Sequence, residues 1–226
     1  MKNVVFIGDS LTSGENNNFR SYAHIVKEKT NYNVSVLGVS GACFGDYSIY
    51  PVKDTLFTLV DTNTEVIRDA DYLFIEFGIN DTAAVIMRYV DINKVYISIV
   101  RAVDYIKQLN KNVKLTFLLV DATGEYSLKY LKYLKYDYFK DYPTLSDPIL
   151  RYGCFENYLT LNDSIYYCDW DFTYKNIRQF ISRSFDLILI NEGVKSEYLD
   201  SDNIHPTEEG YAIIADSIIK HIKNDD

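Results

Sequence analysis

Residues 4–14 read Val-Val-Phe-Ile-Gly-Asp-Ser-Leu-Thr-Ser-Gly, and the fold prediction starts from the change of pattern within this stretch. Its first four residues are β-branched or aromatic, which is typical of a strand buried on both faces. The apolar run stops at Gly8 and is followed at once by Asp9 and Ser10. This order predicts a strand, a tight turn and then a helix. Ser10 is either an ordinary turn residue or a nucleophile, and residues elsewhere in the chain distinguish the two.

The pattern of a short apolar run followed by a polar turn recurs along the chain. Val4–Ile7 is the first predicted strand, and the others are Val34–Val39, Tyr72–Phe77, Val113–Val120 and Phe185–Ile190. Between these runs, apolar residues recur every three or four positions in Asp91–Leu109 and Thr207–Lys223, which is the period of one helix face. Strands that alternate with helices predict a three-layer α/β/α fold around a mainly parallel, five-stranded sheet.

The composition is that of a globular protein that does not bind nucleic acid. The chain has 226 residues, of which 47% are hydrophobic and 24% are charged, and its formal net charge is -9. A nucleic-acid-binding protein needs a basic surface, and no cluster of Lys and Arg in this sequence is free of acidic residues. The length suits a single domain over residues 1–226.

Neither a signal peptide nor a membrane span is predicted. The apolar run after Lys2 covers only Val4–Ile7, and no stretch approaches the ~20 apolar residues of a transmembrane helix. The three cysteines, Cys43, Cys154 and Cys168, cannot all pair, and they lack the Cys-x-x-Cys spacing of zinc sites. We therefore expect a cytoplasmic protein with free thiols, although Cys154 and Cys168 could form a disulfide in an exported protein.

Residues 121–184 depart from the regular alternation of strands and helices. About half of the 21 tyrosines lie between Tyr126 and Tyr174, and Leu128–Tyr136 consists of three copies of Leu-Lys-Tyr. Three copies are too few for a repeat architecture. The leucines instead predict one amphipathic helix that ends before Pro143. We interpret residues 121–184 as an insertion or lid over the sheet, within the single domain.

Histidines are scarce in this chain, which limits the choice of a general base. His24 lies in a predicted early helix and His221 in the last turn of the final helix, so both are interpreted as surface or packing residues. His205 lies in a polar loop, and Asp202 precedes it by three residues. A carboxylate at that spacing can bind one ring nitrogen and leave the other facing a site. Asp202 could alternatively cap the following helix.

A nucleophilic serine needs such a base, because its hydroxyl is protonated at neutral pH. An attacked carbonyl group also develops negative charge, which backbone N–H groups and side-chain amides can stabilise. Gly41 and Asn80, like Ser10, come just after a predicted strand, and parallel sheets bind ligands at the carboxyl ends of their strands. Each of these residues taken singly is an ordinary turn residue. Together with His205 they predict a site.

Four short blocks of the sequence resemble those of the SGNH (GDSL-type) hydrolase family of serine esterases and lipases. Gly8–Leu11 resembles the first block and the Gly41 loop the second, whereas Gly78–Asp81 and Asp202–His205 resemble the third and the fourth. They occur in the family's order, from near the start of the chain to near its end. The resemblance implies a flavodoxin-like, SGNH-hydrolase-like fold for the whole chain except the Tyr-rich insertion.

The resemblance also implies a role for each residue of the candidate site. Ser10 is the expected nucleophile, His205 the general base and acid, and Asp202 the carboxylate that orients the histidine. The backbone N–H groups of Ser10 and Gly41 and the side chain of Asn80 are expected to form the oxyanion hole. The implied reaction is cleavage of a carboxylic ester through an acyl-enzyme.

Asp9 and Asp81 lie within two of the blocks and are interpreted as structural residues that hold their loops by hydrogen bonds. The resemblance implies no cofactor. No metal is expected either, because His24, His205 and His221 have no mutual ligand spacing such as His-x-x-x-His.

The substrate is predicted less directly than the reaction. Our first hypothesis is a short-chain (acetyl) esterase that acts on an acylated carbohydrate or a similar polar molecule. The tyrosines of the insertion, and Trp170 between Asp169 and Asp171, suit a polar ligand with apolar faces, although the tyrosines could instead only cover the sheet. The alternatives are a lysophospholipase or thioesterase acting on longer acyl chains, and an O-acyltransferase. A non-catalytic glycan-binding module is disfavoured, since every proposed catalytic residue is present.

Overall fold

The computed structural model describes residues 1–87, 89–119, 163–189, 196–200 and 205–225. Five parallel strands form a sheet in the order β2-β1-β3-β4-β5. They are β1 (Asn3–Gly8), β2 (Asn33–Gly38), β3 (Tyr72–Glu76), β4 (Lys114–Leu119) and β5 (Asp186–Leu189). Each strand lies where an apolar run predicted one, and the order is that of flavodoxin-like folds. The predicted α/β fold class is confirmed.

Helices connect the strands and cover the sheet. Within the described residues they are α1 (Ser10–Ser13), α2 (Tyr22–Lys29), α3 (Leu56–Thr62), α4 (Thr64–Arg68), α5 (Ile79–Ile86), α6 (Ile92–Leu109), α7 (Asp163–Ser184) and α8 (Glu208–Asn224), with 3₁₀ turns at Glu15–Asn17 and Ser196–Tyr198. The buried face of α6 follows the predicted spacing at Val95, Ile99, Ala102, Val103 and Ile106.

Aromatic side chains of the sheet anchor one of the two helical layers. Phe6 of β1 stacks on Phe74 of β3, with ring centroids 5.1 Å apart. Tyr22 of α2 lies edge-on to Phe6 at 5.7 Å, and His221 of α8 lies edge-on to Phe74 at 6.2 Å. Helices α2 and α8 also pack against each other, whereas α3 to α7 pack among themselves as a second group. The helices therefore pack as two groups.

The connection between β4 and β5 differs from the predicted insertion over residues 121–184. Its last part forms α7, which packs against α5 and α6. Three side chains of α7 are fully buried, namely Tyr174, Ile177 and Ile181. Their spacing is that of one helix face. Helix α7 thus belongs to the core, and only the residues before it remain as the predicted insertion.

Other sequence predictions have mixed outcomes. Cys43 is a buried free thiol, as expected. None of the helices in the described ranges has the length and the apolar character that crossing a bilayer requires. Some predicted features lie outside the residues that the structure describes, namely the Leu128–Tyr136 helix, Cys154, Asp202 and the side chains of Cys168 and Trp170.

Candidate active site

The turn after β1 presents Ser10 at the carboxyl edge of the sheet. Asp9 caps α1, because its Oδ1 accepts a hydrogen bond from the Leu11 N–H at 3.0 Å. Ser10 is therefore the first residue of the helix, and it is half-buried. A glycine is required at position 8, since a Cβ on Gly8 would lie 2.6 Å from the carbonyl oxygen of Glu76 on the neighbouring strand.

His205 reaches this turn from the other end of the chain. Its Nε2 lies 2.8 Å from Ser10 Oγ, although the two residues are 195 positions apart. When Nε2 carries no proton, the serine hydroxyl donates to it, which is the geometry that a general base requires. The structure thus brings together the two residues that the sequence analysis selected for proton transfer.

Backbone hydrogen bonds hold the loop that carries His205. The Asp200 N–H donates to the His205 carbonyl oxygen at 2.7 Å, and the Thr207 N–H donates to the Tyr198 carbonyl oxygen at 2.8 Å. These bonds fix the backbone on both sides of the imidazole. Asp202 lies outside the described residues, so its role as the orienting carboxylate stays a prediction.

The other two histidines make structural contacts. His24 Nδ1 accepts the Ser21 N–H at 3.2 Å within the capping box of α2, and burial lowers the pKa of His24. His221 packs on Phe74, as described above. In the part of the chain that the structure describes, no group of three or more His, Cys, Asp or Glu side chains is arranged to hold a metal ion.

Gly41 lies in the loop after β2 in a backbone conformation that favours glycine. Its φ is 77°, and a Cβ at this position would also lie 3.0 Å from the ring of Tyr50. The Ser48 hydroxyl donates to the Gly41 carbonyl oxygen at 2.6 Å. A larger residue at position 41 would therefore displace a loop that is otherwise well held.

Asn80 connects the serine turn with the Gly41 loop. It is buried and is the second residue of α5. Its Nδ2 donates to Asp9 Oδ2 at 3.0 Å and to the Ala42 carbonyl oxygen at 3.1 Å. The amide therefore lies between two of the loops that form the candidate site.

Asp81 anchors the Gly41 loop to α5. Its Oδ1 accepts the Phe44 N–H at 2.9 Å and the Tyr47 hydroxyl at 2.7 Å. Burial raises the pKa of Asp81 to about 7. These bonds, and the cap that Asp9 provides, confirm that both acids hold their loops by hydrogen bonds.

Glu76 belongs to this region and is missed by the sequence analysis. It ends β3 and is fully buried, and its Oε2 accepts the Thr12 hydroxyl at 3.2 Å and the Asp9 N–H at 3.4 Å. Burial raises the pKa of Glu76 well above its usual range, and the charge of Asp9 adds to this effect. A single acid inside the apolar run Tyr72–Phe77 is the feature of the sequence that points to it.

Solved structures of esterases and lipases share this fold. The acetyl xylan esterase AlAXEase has a TM-score of 0.60 at 15% identity, and the match covers 97% of this chain and 98% of that chain. A family two carbohydrate esterase from Clostridium thermocellum, in complex with cellohexaose, has a TM-score of 0.59 at 16% identity over 99% of this chain and 64% of that chain. The lipase Lip_vut3 from a goat rumen metagenome has a TM-score of 0.59 at 13% identity over 97% of both chains. At these identities the likeness shows the fold alone.

The sequence itself carries the family assignment. The pattern of the GDSL-like Lipase/Acylhydrolase family matches residues 6–146, which is more than half of the chain. That range begins in β1 and contains Ser10, Gly41 and Asn80. A comparison with curated proteins finds no match. From its sequence pattern and its fold, the chain belongs to the GDSL-like Lipase/Acylhydrolase family and is an SGNH-type esterase that hydrolyses carboxylic esters.

Proposed function

We propose that Ser10 is the nucleophile of this esterase and that His205 is its general base and acid. The observation that carries the proposal is the 2.8 Å contact between His205 Nε2 and Ser10 Oγ. This distance lies within the range over which a base takes a proton from a hydroxyl group. Asp202, three residues before the histidine, is proposed as the carboxylate that orients the ring.

In the proposed reaction, Ser10 Oγ attacks the carbonyl carbon of the ester while His205 Nε2 takes the hydroxyl proton. The new C–O bond moves the π electrons onto the carbonyl oxygen, which becomes the oxyanion of a tetrahedral intermediate. When the intermediate collapses, the bond to the alcohol breaks and His205 gives its proton to the leaving oxygen. Water then attacks the acyl-enzyme by the same steps, which releases the acid and restores Ser10.

The oxyanion is proposed to bind the N–H groups of Ser10 and Gly41 and the amide of Asn80. The positions of these residues support the proposal, because they follow β1, β2 and β3, which are neighbours in the sheet. Asp9 accepts one hydrogen of the Asn80 amide and so orients it. The second hydrogen, which the Ala42 carbonyl oxygen accepts, is the one that the oxyanion would take.

For the substrate, we propose a short acyl group such as acetyl on a carbohydrate or a similarly polar alcohol. Two structures that share the fold are an acetyl xylan esterase and a carbohydrate esterase in complex with cellohexaose. They support this substrate class only by analogy of fold. The tyrosines of residues 121–184 add support, because amphipathic rings suit a polar ligand that has apolar faces.

Labelling with a fluorophosphonate probe tests the nucleophile. The wild type is expected to be labelled on Ser10 and inactivated, whereas Ser10→Ala is expected to resist labelling and to lose at least about 10⁴-fold in kcat. Ser217→Ala removes an exposed hydroxyl group on α8 and serves as the matched control, which keeps both labelling and activity. A fully active Ser10→Ala enzyme would eliminate this mechanism.

A substrate panel tests the acyl group and the alcohol. It contains acetyl and long-chain p-nitrophenyl esters and acetylated sugars, with Ser10→Ala as the blank. We expect kcat/KM for acetyl esters to exceed that for long-chain esters by at least about tenfold. A preference for long chains would show a lysophospholipase or thioesterase instead. Transfer of the acyl group to an added alcohol in preference to water would show an O-acyltransferase.

A further inference from the structure

Glu76 and Asp9 form a pair of buried carboxyl groups beside the Ser10 turn. Glu76 is 0% exposed and Asp9 is 1% exposed. The parallel register places Gly8 opposite Glu76, so the next residue, Asp9, donates its N–H to Glu76 Oε2 at 3.4 Å. The Glu76 carboxyl group therefore lies directly against the backbone of Asp9. The proposed reaction assigns no step to Glu76, so the pair needs a separate explanation.

Two ionised carboxylates are unfavourable in this position, because each would lose its hydration and they would repel each other. The titratable groups of the described residues that face the pair are Tyr22, Cys43, Asp81 and His205. The first three of these side chains are neutral or negative. His205 can carry a positive charge, but in its role as general base it starts the reaction neutral. A single proton held between the two carboxyl groups removes the repulsion.

Hydrogen bonds indicate which of the two carboxyl groups holds this proton. Asp9 accepts on both oxygens, from the Leu11 N–H at 3.0 Å and from Asn80 Nδ2 at 3.0 Å, as suits a carboxylate. Glu76 Oε2 accepts the Thr12 hydroxyl at 3.2 Å. Among the described residues, the buried Glu76 Oε1 has no hydrogen-bonding donor. Oε1 is therefore the oxygen that can carry a proton without losing a hydrogen bond.

We propose that Glu76 is a positioning residue, which stays a neutral carboxylic acid and gives its hydrogen bond to Asp9 so that Asp9 remains an acceptor for Leu11 and Asn80. The proposal rests on the proposed function in one respect, since Ser10 and Asn80 are the groups that Asp9 positions. Burial, and then the charge of Asp9, raises the pKa of Glu76, in agreement with this assignment. Loss of the proton would place a second negative charge close to the developing oxyanion.

Infrared spectroscopy of the folded protein tests the proton directly. A protonated carboxylic acid has a C=O stretch that a carboxylate lacks. We expect this band in the wild type at about pH 9. The buried Asp81, whose pKa is about 7, is ionised at that pH and does not contribute to the band. Glu76→Gln is expected to lack the band, whereas Asp46→Asn, which removes an exposed carboxyl group, keeps it. Absence of the band in the wild type, or its persistence in Glu76→Gln, would overturn the proposal.

The pH dependence of ester hydrolysis separates positioning from a merely structural role. Glu76→Gln keeps a neutral side chain of the same shape, so we expect its kcat at neutral pH to stay within about threefold of the wild-type value. The amide of Glu76→Gln cannot ionise, so its kcat is expected to stay constant at alkaline pH. The wild type is expected to lose activity over the same pH range in which it loses the infrared band. Glu76→Ala removes the acceptor for Thr12 and is expected to lose activity at every pH.

Equal losses of kcat in Glu76→Gln and Glu76→Ala at every pH would overturn the positioning role of Glu76. The role would also be overturned if the kcat of Glu76→Gln fell at alkaline pH along the same curve as that of the wild type. Failure here is distinguishable from failure of the proposed function. The infrared band reports on Glu76 without any catalytic turnover, whereas fluorophosphonate labelling reports on Ser10.

Discussion

At the scale of single residues, Asn80 joins two parts of the site through one amide group, which bonds to Asp9 and to the Ala42 carbonyl oxygen. Asn80→Ala is predicted to lower kcat by about 10²–10³ with a smaller change in KM, because the proposed side-chain donor to the oxyanion is lost. Steady-state kinetics with an acetyl ester measure both constants. Asn93→Ala, an exposed asparagine at the start of α6, is the control. Near-normal turnover of Asn80→Ala would contradict its assigned role.

Asp81 is predicted to make stability depend on pH. Its pKa is about 7 in the folded protein and 3.8 when unperturbed, so between these values the folded state holds more protons than the unfolded state. The stability that protonated Asp81 confers is complete below about pH 4 and is lost as the pH rises to about 7, by up to about 4 kcal/mol.

Urea unfolding of the wild type and of Asp81→Asn from about pH 5 to about pH 8 checks this prediction. The neutral amide cannot ionise, so the free energy of unfolding of Asp81→Asn is expected to fall less than that of the wild type over this range. Parallel curves for the two proteins would show that Asp81 does not retain its proton.

At the scale of elements, the 3₁₀ turn Glu15–Asn17 contacts both sides of the site. Its first residue, Glu15, accepts the hydroxyl of Ser40. Its second residue, Asn16, donates from Nδ2 to the Pro206 carbonyl oxygen at 3.4 Å. Ser40 directly precedes Gly41, and Pro206 directly follows His205. The 3₁₀ turn that follows Ser10 and α1 therefore connects the Gly41 loop and the His205 loop to the Ser10 turn.

Asn16→Ala is predicted to lower kcat by about tenfold, because His205 loses a support and its imidazole is less well placed. The same substitution leaves the buried Tyr211 hydroxyl, which now donates to Asn16 Oδ1 at 3.0 Å, without this acceptor. Asn17→Ala is the matched control, since the Asn17 side-chain amide donates to a carbonyl oxygen three residues away, that of Arg20. Equal kinetic effects of the two substitutions would argue against a positioning role for the turn.

At the scale of the whole molecule, stability depends on the aromatic core around Phe6. Phe6→Ala is predicted to lower the free energy of unfolding by about 3–5 kcal/mol, because the ring is fully buried between Phe74 and Tyr22. Ile97→Ala, at a position that is 64% exposed on α6, is predicted to change it by less than about 0.5 kcal/mol. Denaturant titration measures both changes. Similar losses in the two variants would contradict this account of the core.

The sequence by itself determined the secondary structure and the candidate residues wherever the pattern is local. Apolar runs predicted the five strands, and helical spacing predicted α6 and α8. Ser10 and His205 stand in short blocks whose residue types indicate their chemistry. Helix α7 was hidden within the Tyr-rich composition, although its buried residues have the same helical spacing.

Only the tertiary structure decided which of these residues touch. The 2.8 Å contact of His205 with Ser10 joins positions 195 residues apart. The burial of Glu76 against Asp9 follows from the register of β1 and β3, which no local pattern encodes. The physical reason is that hydrophobic periodicity records which face of a segment is buried. Contacts between loops follow instead from the order and register in which the strands pair.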